Sequence, residues 1–383
     1  MQPIKEYKEG IHIKVLHIIS GNDNGGGGNH VLNICNKCNE NFENIIGCVG
    51  EGPLYSKAKT IGVSYKLFTN KLNNMELVHY INQNSINIVN FHGAKPFLMH
   101  LILKRKIKVP TVAVIHSDFR YDFLNNKVKY FIFTPLSIKG LKSFNNYICV
   151  SNNLKKLLEE KKFRGSKAVV NNGIDIKKIA VVISAEDMRN NLKLNQKDFV
   201  YSMVARLHPI KNHREVILAF SKLILEFQDV KLLLVGDGEL RVQLEKLIVD
   251  LKLENSVTMV GNVPNPIDYI NCSNVSVLAS LSEGGAPPLT VLESGIVGKT
   301  LIYTEVGDLE SILDENSGYK IENQSNENIY KAMKVAYLDL NNSDVNNLNV
   351  KGENLYNIVV KKFTIEKFWE SYLRIYKSIL KNK

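Results

Sequence analysis

The 383-residue chain carries only five cysteines, Cys35, Cys38, Cys48, Cys149 and Cys272. That number is odd and sparse, which argues against a disulfide framework. Cys35 and Cys38 form a CxxC, but no second pair completes a zinc site, and both fall in the helix-like stretch VLNICNKCNE. They read as buried or semi-buried thiols of a reducing compartment. No apolar run reaches the roughly 18 residues a membrane-spanning helix needs. The N-terminal segment MQPIKEYKEG is polar and lacks the apolar centre of a signal peptide. The expectation is therefore a cytoplasmic protein. A GxGxxG after a strand, with an acid about 20 residues on, is also missing, which speaks against a dinucleotide oxidoreductase. No D-x-D-type motif stands in a strand-end loop, so no metal is expected.

What the chain has is length, an ordinary apolar content and an uneven charge. Its 383 residues suit two domains, and 44% hydrophobic with 23% charged is usual for a globular protein. The formal net charge is +11. Residues 1–175 hold 24 Lys and Arg against 12 Asp and Glu, whereas residues 176–383 hold 25 against 26. The positive surplus thus lies wholly in the first half. It is either a solvated basic face or a surface attracted to something anionic. Nucleic acid is disfavoured, because no recognised module or aromatic stacking platform accompanies the charge.

Apolar strand-like runs alternate with helical periods twice over. In the first half IHIKVLHIIS (11–20), INIVNFH (86–92), TVAVIH (111–116) and NYICVS (146–151) read as buried strands. The second half repeats the pattern with FVYSMVARL (199–207), VKLLLVGDG (230–238), SVTMVGNV (256–263), NVSVLAS (274–280) and TLIYTEVG (300–307). Helices are expected over 212–227, 239–252 and about 290–298. Such alternation with short connections predicts an α/β protein of two doubly wound parallel sheets. The predicted division is 1–175 and 176–362. The final helix, 363–383, has an apolar side (Phe363, Phe368, Trp369, Tyr372, Ile375, Tyr376) that could pack back on the first domain.

Ligands of such sheets sit beyond the carboxyl ends of the strands. There the chain offers glycines, cations and acids. Gly25 and Gly26, in GGGG (25–28), follow the first strand and open a helix; they are either a flexible turn or a place where backbone approaches an anion. His116 ends a strand and can reach a ligand; His92, in FHGAK, ends the preceding one. Arg206 and Lys211, in VARLHPIKN, are two cations five residues apart across a turn, a spacing that suits a diphosphate. Gly236, in VGDGEL, either lets a strand turn tightly or approaches a ligand. In SEGGAPPLTVLES, Glu283 and Glu293 are acceptors suited to a hydroxyl-rich ligand. Gly285, Leu289 and Thr290 lie between them and could supply backbone amides.

In this order and spacing the motifs resemble the GT-B glycosyltransferases of family 4, which are retaining and nucleotide-sugar dependent. GGGGNHVLNIC is similar to the family's opening, with Gly25 and Gly26 on its glycine pair and His30 on the histidine after it. VIHSD puts His116 on its active-site histidine, VARLHPIKN has its R-x-x-x-x-K, and SEGGAPPLTVLES resembles its two-glutamate motif. The resemblance implies two Rossmann-like domains facing a central cleft. It implies that Arg206 and Lys211 grip the donor diphosphate, that Glu283 meets the donor sugar, that Glu293 meets the ribose, and that His116 lies near the transferred sugar. It further implies a glycan or lipid-linked acceptor in surface polysaccharide assembly. The positive surplus of the first half separately suggests a membrane-borne acceptor and a peripheral protein, with LILKRKIK (101–108) and KYFIFTPLSIKGLK (129–142) touching an anionic membrane surface. Nine residues separate the glutamates where the family has seven, and Asn171 stands where it usually has Pro. A sugar-nucleotide 2-epimerase shares the architecture and is the alternative enzyme; a non-catalytic sugar-nucleotide-binding protein is the alternative of another class.

Overall fold

The computed structural model describes residues 12–23, 25–36, 42–120, 127–283, 287–341 and 347–381. The chain divides into two compact units, residues 1–171 with 369–383, and residues 172–368. Each is built on one parallel sheet.

In the first unit the strands are β1 (Ile13–Ser20), β2 (Phe42–Val49), β3 (Tyr65–Phe68), β4 (Ile88–His92), β5 (Thr111–Ile115), β6 (Asn146–Cys149) and β7 (Ser166–Val169), in the order β3-β2-β1-β4-β5-β6-β7. Every pairing is parallel. Parallel strands covered on both faces read as apolar runs; β5 does so after Thr111, whereas β1 carries Lys14 and His17 and β4 carries Asn90 and His92 among its apolar residues. The core on one face gathers Leu16, Ile18, Val89, Phe91, Ala113 and Ile115, with Phe97 and Met99 from the helix Ala94–Leu103. The other face holds Ile19, Val31, Ile46, Cys48 and Leu54. Cys35, Cys48, Cys149 and Cys272 are buried thiols, while Cys38 lies outside the described residues.

The helix Ile365–Lys381 enters the first unit at Trp369. Its Trp369 indole donates to the Asn33 carbonyl at 2.9 Å. Tyr372 and Tyr376 are fully buried.

In the second unit the strands are β8 (Phe199–Val204), β9 (Val230–Val235), β10 (Val257–Gly261), β11 (Val275–Leu278), β12 (Leu301–Thr304) and β13 (Gly318–Ile321), in the order β10-β9-β8-β11-β12-β13. Tyr201, Met203, Leu232, Leu234, Val277 and Ile302 form the centre of its core, beside Val216 and Phe220 of the helix His213–Glu226.

Both orders reverse direction once, at β1/β4 and at β8/β11. Connections to either side of such a point cross opposite faces, so the loops diverge and leave a crevice at the carboxyl ends. The fold therefore singles out four loops: those after β1, β4, β8 and β11.

Candidate active site

In the second unit Arg206 and Lys211 follow β8, while Glu283 and Glu293 follow β11. The residues predicted from spacing thus stand on the two strands that flank the reversal. The loops are stitched together: the Leu281 amide donates to the Ile210 carbonyl at 2.8 Å. Ile210 belongs to the short 3-10 turn Pro209–Lys211, where the His208 ring accepts from the Ile210 amide. This stitch sets the Lys211 ammonium against the Glu283 carboxylate as an ion pair, with side chains 24% and 12% exposed. Ser280 donates to the same carboxylate oxygen at 2.6 Å. Glu283 is therefore pre-oriented by a cation and a hydroxyl on one oxygen, and its second oxygen has no partner among the described residues. Ser280 carries no recognisable motif, and only the neighbouring strand explains it: the Thr304 hydroxyl holds the Ser280 carbonyl at 2.7 Å.

Arg206 is exposed and makes no ion pair among the described residues. Glu293 lies on the helix Leu289–Ile296, partly buried and without a hydrogen-bond partner among the described residues. Loss of water around it pushes its carboxyl up to about 7. Leu289 and Thr290 form the first turn of that helix, directly after Pro288, so their amides lack intrahelical acceptors. The Thr290 hydroxyl is already engaged, donating to the Val204 carbonyl at 3.3 Å. Gly285 lies outside the described residues.

Gly236 has a structural explanation. Its φ is +138°, and a Cβ there would stand 2.1 Å from the Ala205 carbonyl oxygen. The glycine is required by the close passage of the loop after β8.

In the first unit the loop after β1 opens the helix Gly26–Cys35, and Asp23 accepts from the Gly25 and Gly28 amides at 3.0 and 2.8 Å. A Cβ at Gly26 would meet nothing within 4 Å, and one at Gly25 only Asp23 at 3.9 Å. Packing does not demand glycine at either position, in contrast to Gly236. One residue past β5 stands His116, whose ring lies 3.5 Å from where a Gly27 Cβ would be. The predicted strand ran to His116; the ladder ends at Ile115, which frees the imidazole from the sheet. His116 stacks on His92 (centroids 5.2 Å, 19° between planes) and meets the edge of His30 at 4.8 Å. His30 in turn shares a 2.7 Å hydrogen bond with Tyr372. Burial and the neighbouring imidazoles hold His92 and His116 well below the usual histidine range, so both rings are neutral. Sequence spacing did not reveal His17, which lies mid-strand on β1 and joins this cluster.

Among the described residues no group of three or more His, Cys, Asp or Glu side chains is set to hold a metal ion, and no helix is long and apolar enough to cross a membrane.

Residues 24–178 match the family model "Glycosyltransferase Family 4" and residues 184–349 match "Glycosyl transferases group 1". Between them the two matches take in most of the chain. It is a family 4 glycosyltransferase. Among its relatives is an Escherichia coli enzyme named UDP-Gal:alpha-D-GlcNAc-diphosphoundecaprenol alpha-1,3-galactosyltransferase, 26% identical over 90% of this chain and 91% of that one. Another is CapM of Staphylococcus aureus, a capsular polysaccharide biosynthesis glycosyltransferase, 23% identical over 77% of this chain and 80% of the relative. The crystal structure of Anabaena HepE with UDP-glucose superposes with a TM-score of 0.80 at 18% identity, over 96% of this chain and all of that one. The glycosyltransferase thus has the GT-B architecture of two parallel-sheet α/β domains.

Proposed function

We propose that this glycosyltransferase moves a hexosyl group from a nucleoside-diphosphate sugar to a lipid-diphosphate-linked glycan in the assembly of a surface polysaccharide or glycolipid, with retention at the anomeric carbon. The observation that carries the reading is the set of cations and carboxylates on the loops after β8 and β11, where the sheet order reverses. The names of the relatives support the acceptor class: the E. coli enzyme acts on a diphosphoundecaprenol-linked sugar, and a Campylobacter jejuni relative on a diphospho-undecaprenol-linked one. Both names specify an α linkage. A nucleotide sugar of the UDP-galactose kind is itself α-linked, so an α product means retention.

In this reading Arg206 and Lys211 neutralise the charge that grows on the departing diphosphate, helped by the Leu289 and Thr290 amides. This charge stabilisation by side chains and amides is the basis for proposing that no metal is needed. Lys211 already faces Glu283, so a bound diphosphate shares that cation. Glu283 holds hydroxyls of the donor sugar and Glu293 those of the ribose. The open space at Gly25 and Gly26 admits the ligand against backbone amides. His116 touches the transferred sugar as a neutral hydrogen-bonding group; its low basicity suits it poorly to cation chemistry.

The acceptor would bring the enzyme to a membrane surface. Helices Ala94–Leu103 and Lys127–Leu141 pack side by side in the first unit. They expose Ile102, Phe131, Phe133 and Leu136; Ile102 is close in sequence to Lys104, Arg105, Lys106 and Lys108, and the other three lie between Lys129 and Lys139. Apolar side chains interleaved with cations suit an anionic leaflet.

The test is incubation of the purified enzyme with a panel of UDP-, GDP- and dTDP-sugars, with and without an undecaprenyl-diphosphate-linked sugar. Nucleoside diphosphate released only with acceptor, together with a lengthened lipid-linked glycan, supports the reading. Release of a free epimerised sugar without acceptor contradicts it.

A further inference from the structure

We infer that His116 is held as the tautomer bearing its proton on Nε2, with Nδ1 bare as an acceptor for a ligand hydroxyl, and that His92, His17 and Asn44 are positioning residues that impose this choice. The inference rests on the reading of His116 as a residue that touches the transferred sugar.

Four side chains run in series across the sheet of the first unit. Asn44 on β2 lies 3.0 Å, through Oδ1, from His17 Nε2. His17 Nδ1 lies 3.1 Å from His92 Nε2, and His92 Nδ1 lies 2.8 Å from His116 Nε2. The strand register makes the series: His17 on β1 stands beside Ile46 of β2 and Asn90 of β4, two residues from Asn44 and from His92. Asn44, His17 and His92 are buried, which shields the series from bulk water.

A neutral imidazole has one N–H and one bare nitrogen, and each hydrogen bond needs one of each. The series can therefore point only one way or wholly the other. Asn44 decides. Its amide NH2 donates to the Ile34 carbonyl at 3.3 Å, which leaves the amide oxygen facing His17. Turning the amide would set two carbonyl oxygens against each other. His17 must then donate from Nε2 and accept at Nδ1; His92 donates from Nε2 and accepts at Nδ1; His116 donates from Nε2. Its own Nδ1 is left bare, with no protein donor among the described residues. The Asn90 amide NH2 also points at His17 Nδ1, at 3.4 Å, which fits the same direction. Burial holds His17 down to about 4 and His92 and His116 well below the usual range, so no extra proton scrambles the order.

The consequence is chemical. A bare nitrogen accepts from a sugar or acceptor hydroxyl, whereas the other tautomer would offer an N–H. The reverse direction has one attraction: the Asn90 oxygen is buried and unpartnered, and turning that amide would let it accept from Tyr376. That arrangement would still leave the Asn44 and Ile34 oxygens opposed.

Two experiments on the full chain decide it. With 15N-histidine labelling, long-range proton–nitrogen correlation spectra separate protonated from bare ring nitrogens, and a His116→Ala spectrum assigns the signals. The expected result is a protonated Nε2 and a bare Nδ1 for His116; the opposite pattern overturns the inference without touching the donor site. Steady-state kinetics then compare His92→Gln with His92→Leu. Glutamine can accept from His116 and donate to His17, so it is expected to keep most of kcat. Leucine breaks the series and is expected to lower kcat about tenfold or more, with KM for the donor unchanged. Equal kcat in the two variants overturns the positioning role. If His92→Leu prevents folding, the wild-type spectrum alone still confirms or refutes the tautomer. Absence of transfer from every donor would instead sink the functional reading, whatever the spectrum shows.

Discussion

Glu293→Gln is expected to make the enzyme more stable above neutral pH while weakening its hold on a nucleotide. The Glu293 carboxyl is pushed from an ordinary 4.5 to about 7 by burial alone. Below pH 4.5 folded and unfolded chains both carry the proton, and the substitution is neutral. Between 4.5 and 7 the folded chain keeps a proton that the unfolded chain has lost, so this group's share of stability declines as pH rises. Above 7 the folded enzyme must hold a largely dry carboxylate with no partner among the described residues. At about 1.4 kcal/mol for each unit of pKa, that costs on the order of 3 kcal/mol at most. Glutamine removes the cost, so its melting temperature exceeds the wild type's at pH 8 and converges with it toward pH 5. Binding runs the other way. A ribose that donates hydroxyls to the carboxylate favours its ionised form, so wild-type affinity for a nucleoside diphosphate rises from pH 6 to pH 8. In Glu293→Gln that rise is lost, and affinity at pH 8 drops by about 1.5–3 kcal/mol, the worth of a hydrogen bond to a charged group. Calorimetric titration at three pH values, beside thermal melts, measures both. Parallel pH slopes for the two proteins would refute the reasoning.

Other outcomes follow from the same geometry. Gly26→Ala fills open space at the start of a helix, so the melting temperature holds or rises by the equivalent of about 0.5–1 kcal/mol, yet transfer falls; an unimpaired alanine variant would deny the ligand that space. Gly236→Ala drives a Cβ into the Ala205 carbonyl at a positive φ, and is expected to lose folded protein in expression and melting assays; a stable variant would contradict the structural role. Arg206→Ala is expected to weaken nucleoside-diphosphate binding by about 1.5–3 kcal/mol at little cost in stability, and unchanged calorimetric affinity counts against it. His116→Ala is expected to abolish transfer while leaving donor binding largely intact; equal loss of both would overturn its placement at the sugar.

Much of this architecture is legible in the sequence because buried parallel strands announce themselves as apolar runs. The runs over 11–20, 86–92, 111–116, 199–207 and 274–280 become β1, β4, β5, β8 and β11; β1 and β4 start later than their runs, β5 and β8 stop earlier, and β11 is shorter at both ends. β2, β3, β7 and β13 lack that signal, for two reasons. β3, β7 and β13 are four-residue strands, and β3 and β7 are half solvated, so little apolar surface marks them. β2 is buried but interrupted by Glu43, Asn44 and Gly47. The buried Asn44 has a reason to be there only once His17 is seen beside it.

The site divides in the same way. Positions after β8 and β11 can be read from spacing, since loops at strand ends need few residues to define them. The pairing of Lys211 with Glu283, 72 residues away, and the support from Ser280 depend on how the two strands lie together. His17, read along the chain, is one more residue of a strand. Its partners come from β2 and β4, and no local pattern carries that information.

The most direct measurement is a crystal structure of the enzyme soaked with the nucleoside diphosphate that the donor panel identifies. The expected density puts the diphosphate within hydrogen-bonding distance of Arg206 and Lys211, beside the Leu289 and Thr290 amides, and the ribose hydroxyls on Glu293. A nucleotide bound away from the loops after β8 and β11, with those side chains untouched, would contradict it.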